Sequence, residues 1–181
     1  EELLSDQKDK IAEDENVIWD YKIECPHSFT DDYCGGLVRL ICAFNNTYGG
    51  LIIFGVHDKK RSVGHNKVRL NIELFNSFLR KSLNFPIQCQ ITNLGGEDGE
   101  IGSGGIDVLL VPKRDSNYPP CRPVRPIGNY PVKQLHIRKG AECLVETSSD
   151  LPFLFSSRDN PYLGNDDHSA EVDRIDASLP N

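Results

Sequence analysis

Tyr48-Gly-Gly-Leu-Ile-Ile-Phe-Gly-Val-His-Asp58 is the stretch on which the fold turns. Two glycines make a tight turn, and Leu51 to Phe54 then run apolar without a break, the pattern of a strand buried on both faces. Gly55 suits close strand packing, and the chain beyond it delivers His57 and Asp58 to a sheet edge.

Upstream, Asp31 and Asp32 can cap a helix in which Leu37, Leu40, Ile41 and Phe44 form one apolar stripe, ending near Asn45-Asn46. Before it, Val17, Trp19, Tyr21 and Ile23 alternate with Ile18, Asp20, Lys22 and Glu24, the period of a strand with two unlike faces. Asp20 and Lys22 therefore share a face. Residues 1 to 16 are polar and acidic, with Leu3, Leu4 and Ile11 at helical spacing.

Downstream, a second helix is expected from Leu70 to Leu83, with Leu70, Leu74 and Phe78 turned inward beside Phe75 and Leu79, closed by Asn84-Phe85-Pro86. Strands follow at Ile87–Leu94 and Ile106–Val111, joined by the glycine-rich loop from Gly95 to Gly105. A proline-rich bridge, Tyr118 to Pro131, leads to a last strand, Gln134–Arg138, and the turn Lys139-Gly140. The expectation is an α/β (α+β) domain, a mixed sheet packed with two main helices. Its boundaries are a leader helix or tail over residues 1–12, the domain over 13–155, and an acidic linker over 156–181 that points to a further domain.

At 181 residues the chain suits one core and not two. No run of about 18 apolar residues is present, so no membrane partner is expected. The chain lacks Met and begins at Glu1, as a piece of a longer polypeptide would. Cys42 and Cys89 sit among apolar neighbours like buried free thiols, which fits a reducing, cytoplasmic setting. Cys25, His27 and Cys34 match no standard zinc spacing and are taken as structural.

The net charge of −7 hides a division. Residues 1 to 58 sum to −8, residues 59 to 140 to +8, and residues 141 to 181 to −7. A basic middle can line a groove for nucleic acid, although an ordinary solvated surface would carry the same charges.

The sequence has no phosphate loop of the GxxxxGK[ST] type, no GxSxG elbow and no HExxH helix. What remains is acidic. Glu15 and Asp20 flank the start of the first strand and Asp58 follows the buried one; if those strands are neighbours, the carboxylates converge on a site for a hard cation, Mg²⁺ or Mn²⁺. Lys22, on the face of Asp20, is placed to hold a phosphate. Spacing alone is weak support in a chain with 27 carboxylates. His57 alternates away from Asp58 and is expected to be structural, and Trp19 and Tyr21 are expected in the core.

Four segments in order carry a resemblance to a known family. Glu15-Asn-Val-Ile-Trp-Asp20-Tyr-Lys22 resembles an E-x4-E-x-K element, Cys42-Ala-Phe-Asn-Asn-Thr-Tyr-Gly-Gly50 an AFANxxGG helix end, Leu51-Ile-Ile-Phe-Gly-Val-His-Asp58 an LxxGVxD strand, and Leu135-His-Ile-Arg-Lys-Gly140 a closing YxRxG. Together they are similar to the Schlafen AlbA-like domain over roughly residues 13 to 155. The resemblance implies a metal-binding catalytic triad of Glu15, Asp20 and Asp58, with Asp20 standing where the family often has Glu, and Lys22 beside it. It implies a metal-dependent endoribonuclease acting on tRNA or other structured RNA, with DNA as a further substrate, serving as the effector of a larger defence protein with an NTPase or sensor domain. Lys59, Lys60, Arg61, Arg138 and Lys139 are the expected nucleic-acid contacts. Because vertebrate Schlafen cores resemble two such modules joined in a horseshoe, a homo-oligomer is expected. The rival expectations are a non-catalytic nucleic-acid-binding module and an oligomerisation module.

Overall fold

A computed structural model describes residues 14–29, 32–60, 62–63, 66, 68–94, 105–115, 117–132 and 134–146. The expected leader helix, most of the glycine-rich loop and the acidic linker lie outside the described residues. The elements run β1 (Trp19–Lys22), α1 (Asp32–Asn46), β2 (Gly50–Phe54), α2 (Ile72–Ser82), β3 (Gln90–Leu94), β4 (Ile106–Val111), β5 (His136–Lys139) and β6 (Glu142–Val145).

Four strands form a mixed sheet in the order β1-β2-β4-β3, with β1 parallel to β2 and the other pairings antiparallel. A parallel pair needs a crossover, and α1 supplies it. β2 is central and two-faced, as its apolar run requires. Ile52 and Phe54 join Leu109 and Val111 of β4 in the main core, under Leu37, Ile41 and Phe44 of α1 and Phe75 and Leu79 of α2. Ile53 turns the other way and packs with Tyr21 and Val56, with Trp19 and Leu51 alongside. Both helices thus share one face, and Trp19 and Tyr21 pack on the opposite one.

Gly49, with φ of +74°, turns the chain from α1 into β2, where a Cβ would lie 2.8 Å from the Val111 carbonyl oxygen. Only glycine fits both conditions.

Three local expectations are corrected. Leu74 of α2 is 60% exposed, while Phe75 and Leu79 are buried. The inward stripe also includes Asn76, whose side chain donates to the Cys89 carbonyl (2.9 Å) and accepts from the Cys89 N–H (3.0 Å). That bracket takes the backbone groups a ladder would have used, so β3 starts at Gln90 and not at Ile87. The last expected strand becomes a hairpin: β5 pairs antiparallel with β6 across a turn at Gly140, φ +59°. All six cysteines are free, and five are buried.

Candidate active site

β1 is an edge strand, and the segment before it folds back along its open side. Asn16 Oδ1 accepts from the N–H groups of Ile18 (2.8 Å) and Trp19 (3.1 Å), an Asx turn that reverses the chain. The reversal sets Glu15 against the strand, where its Oε1 accepts from the Tyr21 N–H at 2.7 Å.

Asp20 sits on the helix-facing side of β1 and is buried. One oxygen takes the ammonium of Lys22, its neighbour on the same face, and the other lies 2.8 Å from Arg138 Nη1. Lys22 also donates to the Tyr21 carbonyl at 3.0 Å. Beyond β2, the N–H groups of Gly55 and Val56 both donate to the Lys22 carbonyl (2.9 and 3.1 Å). This fold of the chain around the end of β1 brings the exposed Asp58 into the field of Glu15.

The electrostatics of Glu15 register the gathering. Burial raises its pKa first, and the charges of Asp20 and Asp58 raise it further, against the Tyr21 N–H and Lys22, which lower it. Asp20, Asp58 and Lys22 thus all lie within electrostatic reach of Glu15.

Oxygen donors of this kind suit a hard divalent cation. Their arrangement is not a ready ligand set, because no three His, Cys, Asp or Glu side chains among the described residues are grouped to hold a metal ion. Asp20 is engaged by two cationic side chains, and Glu15 by a backbone donor.

Beside Asp20 opens a cleft of about 360 Å³ between β1, α1 and the β5–β6 hairpin, lined by Asp20, Lys22, Tyr33, Arg39, Arg138 and Cys143 among others. Arg39 and Tyr33 were missed by sequence reasoning. Their signal was helical spacing: Asp32, Tyr33, Gly36, Arg39 and Leu40 share the cleft-lining side of α1.

The expected nucleic-acid contacts fall in different places. Lys59 and Lys60 are exposed in the turn after Asp58, Lys139 is exposed at the hairpin tip, and Arg61 lies outside the described residues. Arg138 corrects the expectation of a surface phosphate contact, since its side chain is 1% exposed. Its guanidinium donates to the Asn16 carbonyl (3.0 Å) and the Trp19 carbonyl (3.2 Å), besides meeting Asp20, and lies over the Phe44 ring at 5.0 Å. Alternation along β5 sends Arg138 inward and Lys139 outward. His57 Nδ1 accepts from the Lys60 N–H at 3.4 Å, within the turn that presents Asp58.

No helix among the described residues is long and apolar enough to cross a membrane. No curated protein matches the chain. Among solved structures, 13 chains match; one is the DIP2311 protein from Corynebacterium diphtheriae, similar at a TM-score of 0.53 and 13% identity over 80% of this chain. This chain spans 28% of that protein, and the likeness is one of fold. Residues 15–145 match the Schlafen, AlbA_2 family, from the glutamate on the edge of β1 to the last residue of β6, and the chain belongs to that family.

Proposed function

We propose that the domain is a divalent-metal-dependent endonuclease that hydrolyses phosphodiester bonds in RNA, tRNA or another structured RNA foremost and DNA secondarily. The observation that carries this reading is that Asp20, on β1, and Asp58, beyond β2, both lie close enough to Glu15 for their charges to raise its pKa. Mg²⁺ or Mn²⁺ held by these carboxylates would supply charge to polarise the phosphoryl oxygen and acidify a water. Lys22, paired with Asp20, is the cation placed to hold the scissile phosphate, and Glu15, whose pKa is raised by burial and by the charges of Asp20 and Asp58, is the carboxylate proposed to receive a proton. Lys59, Lys60 and Lys139 contact flanking phosphates.

The same reading includes a homo-oligomer, by the resemblance to cores built of two such modules, and a longer protein in which a sensor or NTPase domain controls this effector, as in defence against foreign nucleic acid. The six free thiols favour the cytoplasm.

A second reading, a non-catalytic nucleic-acid-binding module, is favoured by one observation: both oxygens of Asp20 are already held by Lys22 and Arg138. Incubation of labelled tRNA, single-stranded RNA and DNA with the protein in Mn²⁺, Mg²⁺ or EDTA separates the two. Metal-dependent cutting that disappears in Asp58→Ala and Glu15→Ala is expected; binding without cutting under every condition supports the second reading.

A further inference from the structure

Two segments that meet on the far side of α2 share an unusual composition. Residues 74–94 and 117–132 contain no Asp or Glu, in a chain with 27 of them, yet carry Arg80, Lys81, Arg122 and Arg125. They are fastened side by side. The Val124 N–H donates to the Ser82 carbonyl (2.8 Å) and the Asn84 N–H to the Arg122 carbonyl (3.1 Å). The Asn84 side chain accepts from the Arg122 N–H (2.9 Å) and donates to the Pro120 carbonyl (3.0 Å).

The two segments so joined carry four exposed cations, Arg80 and Lys81 just before Ser82 and Arg122 and Arg125 on either side of Val124. Arg125 is set in place by Ser82 Oγ (2.9 Å) and by the Phe78 ring beneath its guanidinium, 5.7 Å from the centroid. No carboxylate among the described residues pairs with any of the four. Arg80 and Lys81 complement the dipole at the C-terminal end of α2, but that does not explain why a second segment docks two further arginines there.

Beside the cations, Tyr118 stacks on Phe85, ring centroids 5.0 Å apart and planes 15° from parallel. Phe85 is buried and Tyr118 is 46% exposed, so the outer ring is a rigid platform with one free face. Asp115, the nearest acid along the chain, shares a turn with Tyr118: its carbonyl accepts from the Tyr118 N–H (3.0 Å), and its carboxylate is taken by the Asn117 N–H (2.8 Å). Fixed cations next to a supported aromatic ring are what a flexible polyanion with planar bases requires.

We propose that this surface, none of whose residues lines the cleft beside Asp20, is a second binding site for single-stranded nucleic acid, with phosphates on Arg80, Lys81, Arg122 and Arg125 and a base on Tyr118. The site rests on the nucleic-acid reading above and gives it a holding surface separate from the acids.

The test measures anisotropy of a fluorescein-labelled oligouridylate with the whole chain over a salt series, comparing wild type with Arg80→Gln/Lys81→Gln/Arg122→Gln and with Tyr118→Ala. Arg125 is left intact because its contacts are structural. The triple variant is expected to weaken binding about tenfold or more and to flatten the log–log salt slope by about 2, at ~0.7 per phosphate contact. Tyr118→Ala is expected to lower affinity about fivefold or more at unchanged slope. Wild-type slope and affinity in both variants, with unfolding curves unchanged, overturn the second site and leave the acidic site standing. Preferred binding to vesicles of phosphatidylserine and phosphatidylcholine, lost in the same variants, also overturns it. No oligouridylate binding by wild type also overturns the second site, while metal-dependent cutting of tRNA, lost in Asp58→Ala, decides the acidic site separately.

Discussion

Arg138 Nη1 lies 2.8 Å from Asp20 Oδ2, in a pair whose two side chains are 1% and 6% exposed. The remaining guanidinium donors close on the carbonyls of Asn16 and Trp19, so one side chain joins the closing hairpin to the strand that carries the acids. Removing one partner of a buried pair leaves the other charge desolvated. Arg138→Ala is therefore expected to lose about 3–5 kcal/mol in urea unfolding. A loss below about 1 kcal/mol, the range of surface pairs, would show that Lys22 or water satisfies Asp20 unaided.

Two adjacent glycines in α1 should respond in opposite directions. A Cβ on Gly35 would stand 2.3 Å from the Ile127 carbonyl oxygen, a backbone atom that cannot swing aside, whereas a Cβ on Gly36 meets nothing within 4 Å. Gly35→Ala is expected to destabilise by ~1–3 kcal/mol or more through overpacking. Gly36→Ala is expected to stabilise by ~0.5–1 kcal/mol through helix propensity. Thermal unfolding of the two single variants decides it, and equal effects would refute the close approach of α1 to residues 127–130.

His136 gives the domain an acid limit. It is buried, its Nδ1 has no hydrogen-bond partner among the described residues, and its ring meets Tyr130 edge-on at 5.1 Å. Burial, helped by the charge of Arg39, lowers its pKa to about 4. The unfolded chain then binds the proton more readily than the folded one, so stability falls as pH drops from the ordinary histidine range toward 4. Between pH 7 and pH 5 the loss is roughly 2 kcal/mol. His136→Phe should flatten that limb in urea midpoints measured across the range; an unchanged slope would assign the acid sensitivity elsewhere.

Glu15 acts with the opposite sign. Its raised pKa means the folded state holds the proton more tightly, so stability falls as pH rises from the ordinary carboxylate value of 4.5 through the raised one. Glu15→Gln keeps an oxygen to accept from the Tyr21 N–H and removes the charge facing Asp20 and Asp58. The Gln variant should melt at or above the wild-type temperature at neutral pH, and Glu15→Ala, which loses the acceptor, below it. A Gln variant that melts lower than wild type would mean Lys22 attracts Glu15 more than the two aspartates repel it.

Much of this was legible in the residues, for physical reasons. The apolar run of Leu51 to Phe54 can only be a two-faced strand, and the alternation through Asp20 and Lys22 places both on one side before any coordinates are known. The second helix was harder. Leu74, Phe75, Phe78 and Leu79 fill two neighbouring stripes, and only the sheet beneath decides that Phe75 and Leu79 win. β6 escaped notice because its four residues are mostly exposed and owe their conformation to a partner across Gly140. Arg138 looked like a surface cation because its partners stand far back in the chain, Asn16 being 122 residues away. Local pattern does not carry a pairing at that separation. The gathering around Glu15 was half legible: alternation put Asp20 and Lys22 on one face, while the adjacency of the two strands stood only as a condition and the Asx turn at Asn16 that sets the carboxylate in place left no expectation.

The reach of Arg138 back to Asn16, Trp19 and Asp20 also bears on synthesis. A nascent chain that has left the ribosome only as far as β4 possesses the acids, both helices and the four-stranded sheet, but lacks the side chain that fastens Asp20 and the turn before it. The clamp on Asp20 and on the turn at Asn16 forms only after the hairpin has emerged, so a truncated translation product carries every acidic group of the site without the side chain that ties Asp20 to that turn.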